Sequence, residues 1–263
     1  MSGNDNRNDD SLSSLDSLPH GAQLAWGLVK PSTRGPKGEL SVDKIVETAI
    51  GIADREGLAA VSMNRVASSL GFTTMSLYRY IKSKDDLLLL MTEAVCDIQI
   101  PEESEKRGWR ERLKDYVETC IRLMRAHPWF TEIPIMGVPI TPNNLKMVDW
   151  PLRILRDLPL SDYEKMSTVL LISGYSRFYG GLMRDMDRAL EAGANPDSFS
   201  GLMYGDALKQ LVTPERYPDL HPIVAAGVYT EDDGNKGEAQ DDFSFGLERI
   251  LDGIELHLSR ARQ

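Results

Sequence analysis

Four short runs of helical periodicity fill residues 41–98, each opened by a Ser or Thr and parted from the next by only a few residues. Val42, Ile45, Val46, Ala49, Ile52 and Ala53 make the first apolar stripe, with Ser41 as N-cap and Gly57 as stop. The second covers Met63 to Leu70, with Ser62 before it, Val66, Ala67 and Leu70 inward, and Gly71 after it. The third runs from about Thr74 to Tyr80 behind Thr73. Ser83-Lys-Asp-Asp86 is a capping box that opens the fourth, whose apolar positions include Leu87, Leu88, Met91, Val95 and Ile98. Connections this short oblige the helices to pack on one another, as an N-terminal three-helix bundle with a helix-turn-helix.

The remainder is also helical in pattern. A long helix is expected from about Trp109 to Ala126, ended by His127-Pro128. Thr141-Pro142 opens another, reaching about Asp157, and the capping box Ser161-Asp-Tyr-Glu164 opens a long one toward Leu190. A last helix spans Phe243 to about Ala261. No strand alternation competes, so the expected fold is all-α, with the small bundle followed by a larger helical domain. The expected divisions are a disordered acidic leader at 1–29, a basic arm at 30–40, the helix-turn-helix domain at 41–90 and a helical regulatory domain at 91–263.

Charge, taken over the whole chain, argues against a nucleic-acid partner: 30 Lys and Arg stand against 40 Asp and Glu, a net −10. Its distribution reverses the inference. Residues 30–86 are the net-positive part at +2, while 1–29 carry −3 and 87–263 carry −9. The positive segment is the one that holds the helix-turn-helix. Cys96 and Cys120 are too few for a disulfide framework or a Cys-rich zinc site and read as packing residues. No apolar run approaches the ~20 residues of a membrane span, and the N-terminus lacks signal-peptide character, so the expectation is a cytoplasmic protein without membrane contact. His20, His127, His221 and His257 are scattered, and no phosphate loop, nucleophile elbow or metal-binding His pair occurs. No catalytic or metal-ligating set is therefore expected, and no cofactor. An enzyme and a helical protein-interaction module remain the alternatives to a DNA-binding regulator.

In a helix-turn-helix the second helix enters the major groove with its N-terminal residues leading. Here those are Thr74, Met75 and Ser76, with Leu77 and Ile81 facing inward. Hydroxyls reach base edges, and a Met or Thr methyl packs on a thymine methyl. Tyr78, Tyr80 and Lys84 offer donors for the DNA backbone, Lys84 at a helix start where free N–H groups attract phosphate.

The run GLAAVSMNRVASSLGFTTMSLYRYIKSKDDLL over residues 57–88 resembles the DNA-binding domain of TetR/AcrR-family transcriptional regulators, most specifically in LYRYIKSK. The C-terminal part resembles the tetracycline-repressor regulatory domain in its helix layout and in FGLERILDG at 245–253. The resemblance implies base readout by Asn64, Thr74, Met75 and Ser76. It implies phosphate contacts from Ser62, Met63, Tyr78, Tyr80 and Lys84. The family's common Arg at the position of Asn64 is absent, and Asn suits adenine better than guanine. The arm residues Lys30, Arg34 and Lys37 have two readings, a DNA-reaching arm and a solvated linker.

One helix-turn-helix makes few contacts, so tight binding calls for a homodimer on a palindromic double-stranded operator. The helices at 161–190 and 243–261 are the candidates for its interface, with Gly246, Ile250, Gly253 and Ile254 on the second. Met124, His127, Trp129, Phe130, Trp150, Tyr175, Arg177 and Phe178 are the expected lining of a pocket for a small-molecule effector, apolar or aromatic, with His127, Tyr175 and Arg177 as polar anchors. The implied mechanism is a repressor released by that effector, with the fourth helix as lever.

Overall fold

Caps set the helices of the first half where the sequence places them. The computed structural model describes residues 15–29, 40–102, 107–135, 137–195, 202–227 and 239–261, with no strand among them. They form two compact units dividing at Arg177/Phe178. In the first unit, α1 is His20–Ala25 and α2 is Val42–Glu56, whose cap Ser41 accepts from the Lys44 N–H at 3.2 Å. A 3-10 turn at Leu58–Ala60 leads to α3, Met63–Leu70, capped by Ser62 Oγ on the Arg65 N–H at 3.1 Å. Next come α4, Thr74–Leu77, and α5, Lys84–Val95. Beyond these lie α6 (Trp109–Ala126), a 3-10 turn at Pro128–Glu132, and α7 (Pro142–Leu155). Asp162–Glu191 forms α8, which carries the division between the units. The second unit also holds α9 (Gly205–Leu211), α10 (His221–Ala225) and α11 (Ala239–Ala261).

The core of the small bundle joins Ile45, Ala49 and Ile52 of α2 to Val66 of α3, Leu77 of α4, Ile81, and Leu87, Leu90 and Met91 of α5. Trp129, from the turn after α6, completes it. Helix α5 also reaches the other way. Its buried Glu93 accepts from the Asn143 N–H at 2.8 Å and the Asn144 N–H at 3.3 Å, capping α7, whose own N-cap Thr141 makes no side-chain cap bond. A carboxylate there satisfies orphan donors and faces the positive end of the helix.

Two expectations need correction. The third helix is α-helical only over Thr74–Leu77, and its path to Ile81 is held by turn bonds such as Tyr80 N–H to the Leu77 carbonyl at 2.8 Å. The leader is not wholly disordered: its last part contains α1, packed on α5 through buried Gly21 and Ala22. A six-residue helix carries too little periodicity to be seen in sequence. Residues 1–14 and the arm residues Lys30, Arg34 and Lys37 lie outside the described residues.

Candidate nucleic-acid interface

The turn between α3 and α4 depends on Gly71, whose φ of +75° is left-handed. Its N–H and that of Phe72 close on the Ser68 and Ala67 carbonyls, ending α3 sharply. Thr73 Oγ1 then accepts from the Ser76 N–H at 3.3 Å and lies 3.0 Å from Ser76 Oγ. With Leu77 and Ile81 fully buried, the opposite face of α4 points outward, and Met75 is 74% exposed. Thr74 Oγ1 donates to Asn64 Oδ1 at 3.4 Å, bringing expected base-reading residues of α3 and α4 together.

The expected phosphate set divides. Ser62, Tyr78 and Lys84 are exposed, and Tyr80 is partly buried against the core. Met63 is corrected: its side chain is core, so only its backbone N–H, in the unpaired first turn of α3, is available to a phosphate. Lys84 opens α5 beside Ser83, whose Oγ accepts from the Asp86 N–H at 3.0 Å and donates to Asp86 Oδ2 at 2.9 Å. Arg79 escaped sequence reasoning. It is exposed in the turn that directly follows α4, and its place between Tyr78 and Tyr80, both expected at phosphates, was the signal for it. Arg65, by contrast, is spent in an ion pair with Glu56 at 2.8 Å.

In the regulatory half of the first unit, several of the expected pocket residues hold the core and the turn after α6. Met124, Trp129 and Trp150 are core side chains, and Trp150 stands edge-on to Tyr116 at 5.3 Å. Asp54 Oδ1 on α2 pairs with His127 Nδ1 at 2.9 Å and accepts from Trp129 Nε1 at 2.5 Å. Arg177 donates to the carbonyls of Phe130 (3.4 Å), Thr131 (3.0 Å) and Ile133 (2.5 Å). Trp129 and His127 thus fasten the turn at 128–132 onto α2, and Arg177 ties the same turn to α8. Tyr175 is half-buried and Phe178 is 70% exposed. A cleft in this unit is lined by Asp149, Leu152, Arg153 and Arg156 with Asp162, Lys165 and Met166. Burial pushes both the Cys96 and Cys120 thiols up to about 12.

On α11 the inward face is Phe243, Leu247, Leu251, Ile254 and Leu258. Ile254, expected at a dimer interface, is therefore corrected to the protomer interior. Gly246 and Ile250 are half-buried, Gly253 is exposed with open space at its Cβ position, and Phe245 and Leu256 are exposed apolar side chains of this helix. Helix α8 exposes Tyr163, Leu170 and Phe178.

Known proteins match both parts of this layout. Residues 45–91 match the model of the tetR family of bacterial regulatory proteins, and residues 100–258 match the tetracyclin repressor-like C-terminal domain. The transcriptional repressor DrrR1 of Streptomyces coeruleorubidus is 34% identical over 249 residues, covering 91% of this chain and 86% of that protein. The crystal structure of apo ActR from Streptomyces coelicolor superposes with a TM-score of 0.67 at 26% identity, covering 87% of this chain and all of that one. ActR in complex with actinorhodin also gives 0.67, at 28% identity, over 82% of this chain and 95% of that one. The chain belongs to the TetR family of bacterial regulatory proteins and is a DNA-binding transcriptional regulator, not an enzyme.

Proposed function

We propose that this chain acts in the cytoplasm as a homodimeric repressor on a palindromic double-stranded operator, and that a small-molecule effector releases it. The observation that carries this reading is the outward face of α4, with Met75 in solvent while Leu77 and Ile81 lock the helix from behind. Asn64, Thr74, Met75 and Ser76 are the proposed base readers. Ser62, the Met63 N–H, Tyr78, Tyr80 and Lys84 are the proposed phosphate contacts, with Arg79 added. The domain divisions at 41–90 and 91–263 follow the two activities. The DrrR1 relative is named a repressor, and ActR has been crystallised with actinorhodin and with (S)-DNPA, which supports effector control of the same kind here.

Helix α5 suits the part of lever because its side chains serve both ends. Leu87, Leu90 and Met91 lie in the helix-turn-helix core, while Glu93 caps α7. An effector that shifts α7 against α5 respaces the two recognition helices of a dimer. Release by 100-fold requires the effector to prefer the released form by about 2.7 kcal/mol, within the usual range of allosteric coupling.

The test is capture of genomic DNA by the purified protein, sequencing of the bound fragments, and titration of the enriched fragment across a salt series. A repressor enriches a two-half-site sequence and loses affinity steeply as salt rises. Uniform recovery of the genome, with no enriched site at low salt, sinks the reading.

A further inference from the structure

Residues 20–26 lie outside both matched family regions, which begin at 45 and 100. They are nevertheless fitted closely to the lever helix. The Gly21 N–H donates to Asp86 Oδ1 at 2.6 Å in a buried setting. A Cβ at Gly21 would lie 2.9 Å from the Asp86 carbonyl oxygen and 3.0 Å from its Cα, so the two backbones touch only because residue 21 is glycine. Ala22 is fully buried, and Leu24 and Ala25 pack on the core of the small bundle. At the far end, Trp26 Nε1 donates to the Ile140 carbonyl at 2.8 Å, one residue before the α7 N-cap Thr141. The six residues of α1 span about 9 Å, close to the rise of α5 from Asp86 to Glu93.

Two routes therefore join the head of α7 to the helix-turn-helix. One is α5 itself, through Glu93. The other is α1, bonded to Ile140 at one end and to the first turn of α5 at the other. We infer that α1 is a strap that braces α5, and that Gly21 and Trp26 are positioning residues for DNA binding. They act through Asp86 on the turn that presents Lys84 and rigidly couple that turn to the head of α7. The DNA-binding part of this inference rests on the regulator reading above; the bracing of α5 does not.

Full-length Gly21→Val and Trp26→Phe proteins test it by three measurements: thermal unfolding, hydrogen exchange of the α5 amides, and affinity for the double-stranded fragment upstream of the chain's own gene. Trp26 is half-exposed, so removing its one bond to Ile140 leaves Tm within about 2 °C. The strap nonetheless predicts faster exchange across α5 in both variants. It also predicts DNA affinity about threefold weaker for Trp26→Phe and about tenfold weaker for Gly21→Val. Wild-type exchange across α5 in Trp26→Phe, or affinity within twofold of wild type, overturns the strap; should Gly21→Val not fold, Trp26→Phe decides alone. If wild type itself fails to bind the fragment, the regulator reading is in question for that site, while the exchange measurement still decides whether α1 braces α5.

Discussion

Lys84 has a position that makes its charge measurable. It is exposed at the first residue of α5, a cation at the positive end of the helix dipole beside Asp85 and Asp86 of the same turn. Lys84→Ala is expected to flatten the log–log salt dependence of DNA affinity by about one unit per half-site, measured by fluorescence anisotropy between low and physiological salt. An unchanged slope removes Lys84 from the interface. Arg79→Ala is the companion test, since Arg79 is an exposed cation in the turn that directly follows α4. The cysteines behave oppositely. Burial raises both thiols from 9.0 to about 12, so at neutral pH they stay protonated and should resist iodoacetamide until the chain unfolds. Because the folded values lie above the unfolded one, the stability these thiols contribute is complete below about pH 9 and is lost as pH rises toward 12. Urea midpoints that do not fall over that window contradict the assignment. At this scale the sequence was most legible where chemistry is local. Ser41, Ser62, Thr73 and Ser83 cap helices through bonds three residues away, which a sequence displays directly. Met63 was not legible, because its burial depends on partners elsewhere in the chain.

Among the elements, the turn at Pro128–Glu132 links the regulatory helices to α2. Trp129 is 1% exposed, and its indole N–H shares Asp54 with His127. Trp129→Phe keeps an aromatic ring in the core but leaves Asp54 one donor short, and should cost about 1–3 kcal/mol, read as a lower urea midpoint. Trp129→Ala adds a cavity and should cost about 3–5 kcal/mol. Equal midpoints for Trp129→Phe and wild type would show that the shared Asp54 contributes nothing. The sequence places Trp129, Met124 and Trp150 in the expected lining of a pocket, but aromatic and apolar side chains serve core and pocket lining alike. What the sequence does not display is the tertiary bonding around them: Arg177 to three carbonyls of the turn, and Asp54 to two ring nitrogens. Helix α1 escaped notice for a related reason, since Gly21 means little until Asp86 is placed against it. Short capped helices are readable; close approach between segments 65 residues apart is not.

For the molecule as a whole, the small positive excess of residues 30–86 gives little non-specific attraction, so affinity has to come from two half-sites engaged together. On the proposed homodimer reading, dimerisation is then a condition of function, and the exposed apolar side chains of α11 are the proposed place to break it. Phe245 is 65% exposed beside Arg249, whose guanidinium stands 5.2 Å from its ring, and Leu256 is 54% exposed. Ile254 faces the protomer interior at 9% exposure. In a two-fold interface each residue appears twice, so a single buried charge is introduced on both sides at once. Phe245→Glu should therefore shift the protein from dimer to monomer in sedimentation at micromolar concentration and weaken operator binding by at least tenfold, with helix content unchanged. Ile254→Ala should do the reverse, costing about 2–4 kcal/mol of stability, read as a lower urea midpoint, while the folded fraction stays dimeric. A Phe245→Glu protein that sediments as a dimer and binds its operator normally would place the interface elsewhere on α8 or α11. Loss of the dimer in Ile254→Ala without loss of stability would return Ile254 to the interface that its sequence position first indicated.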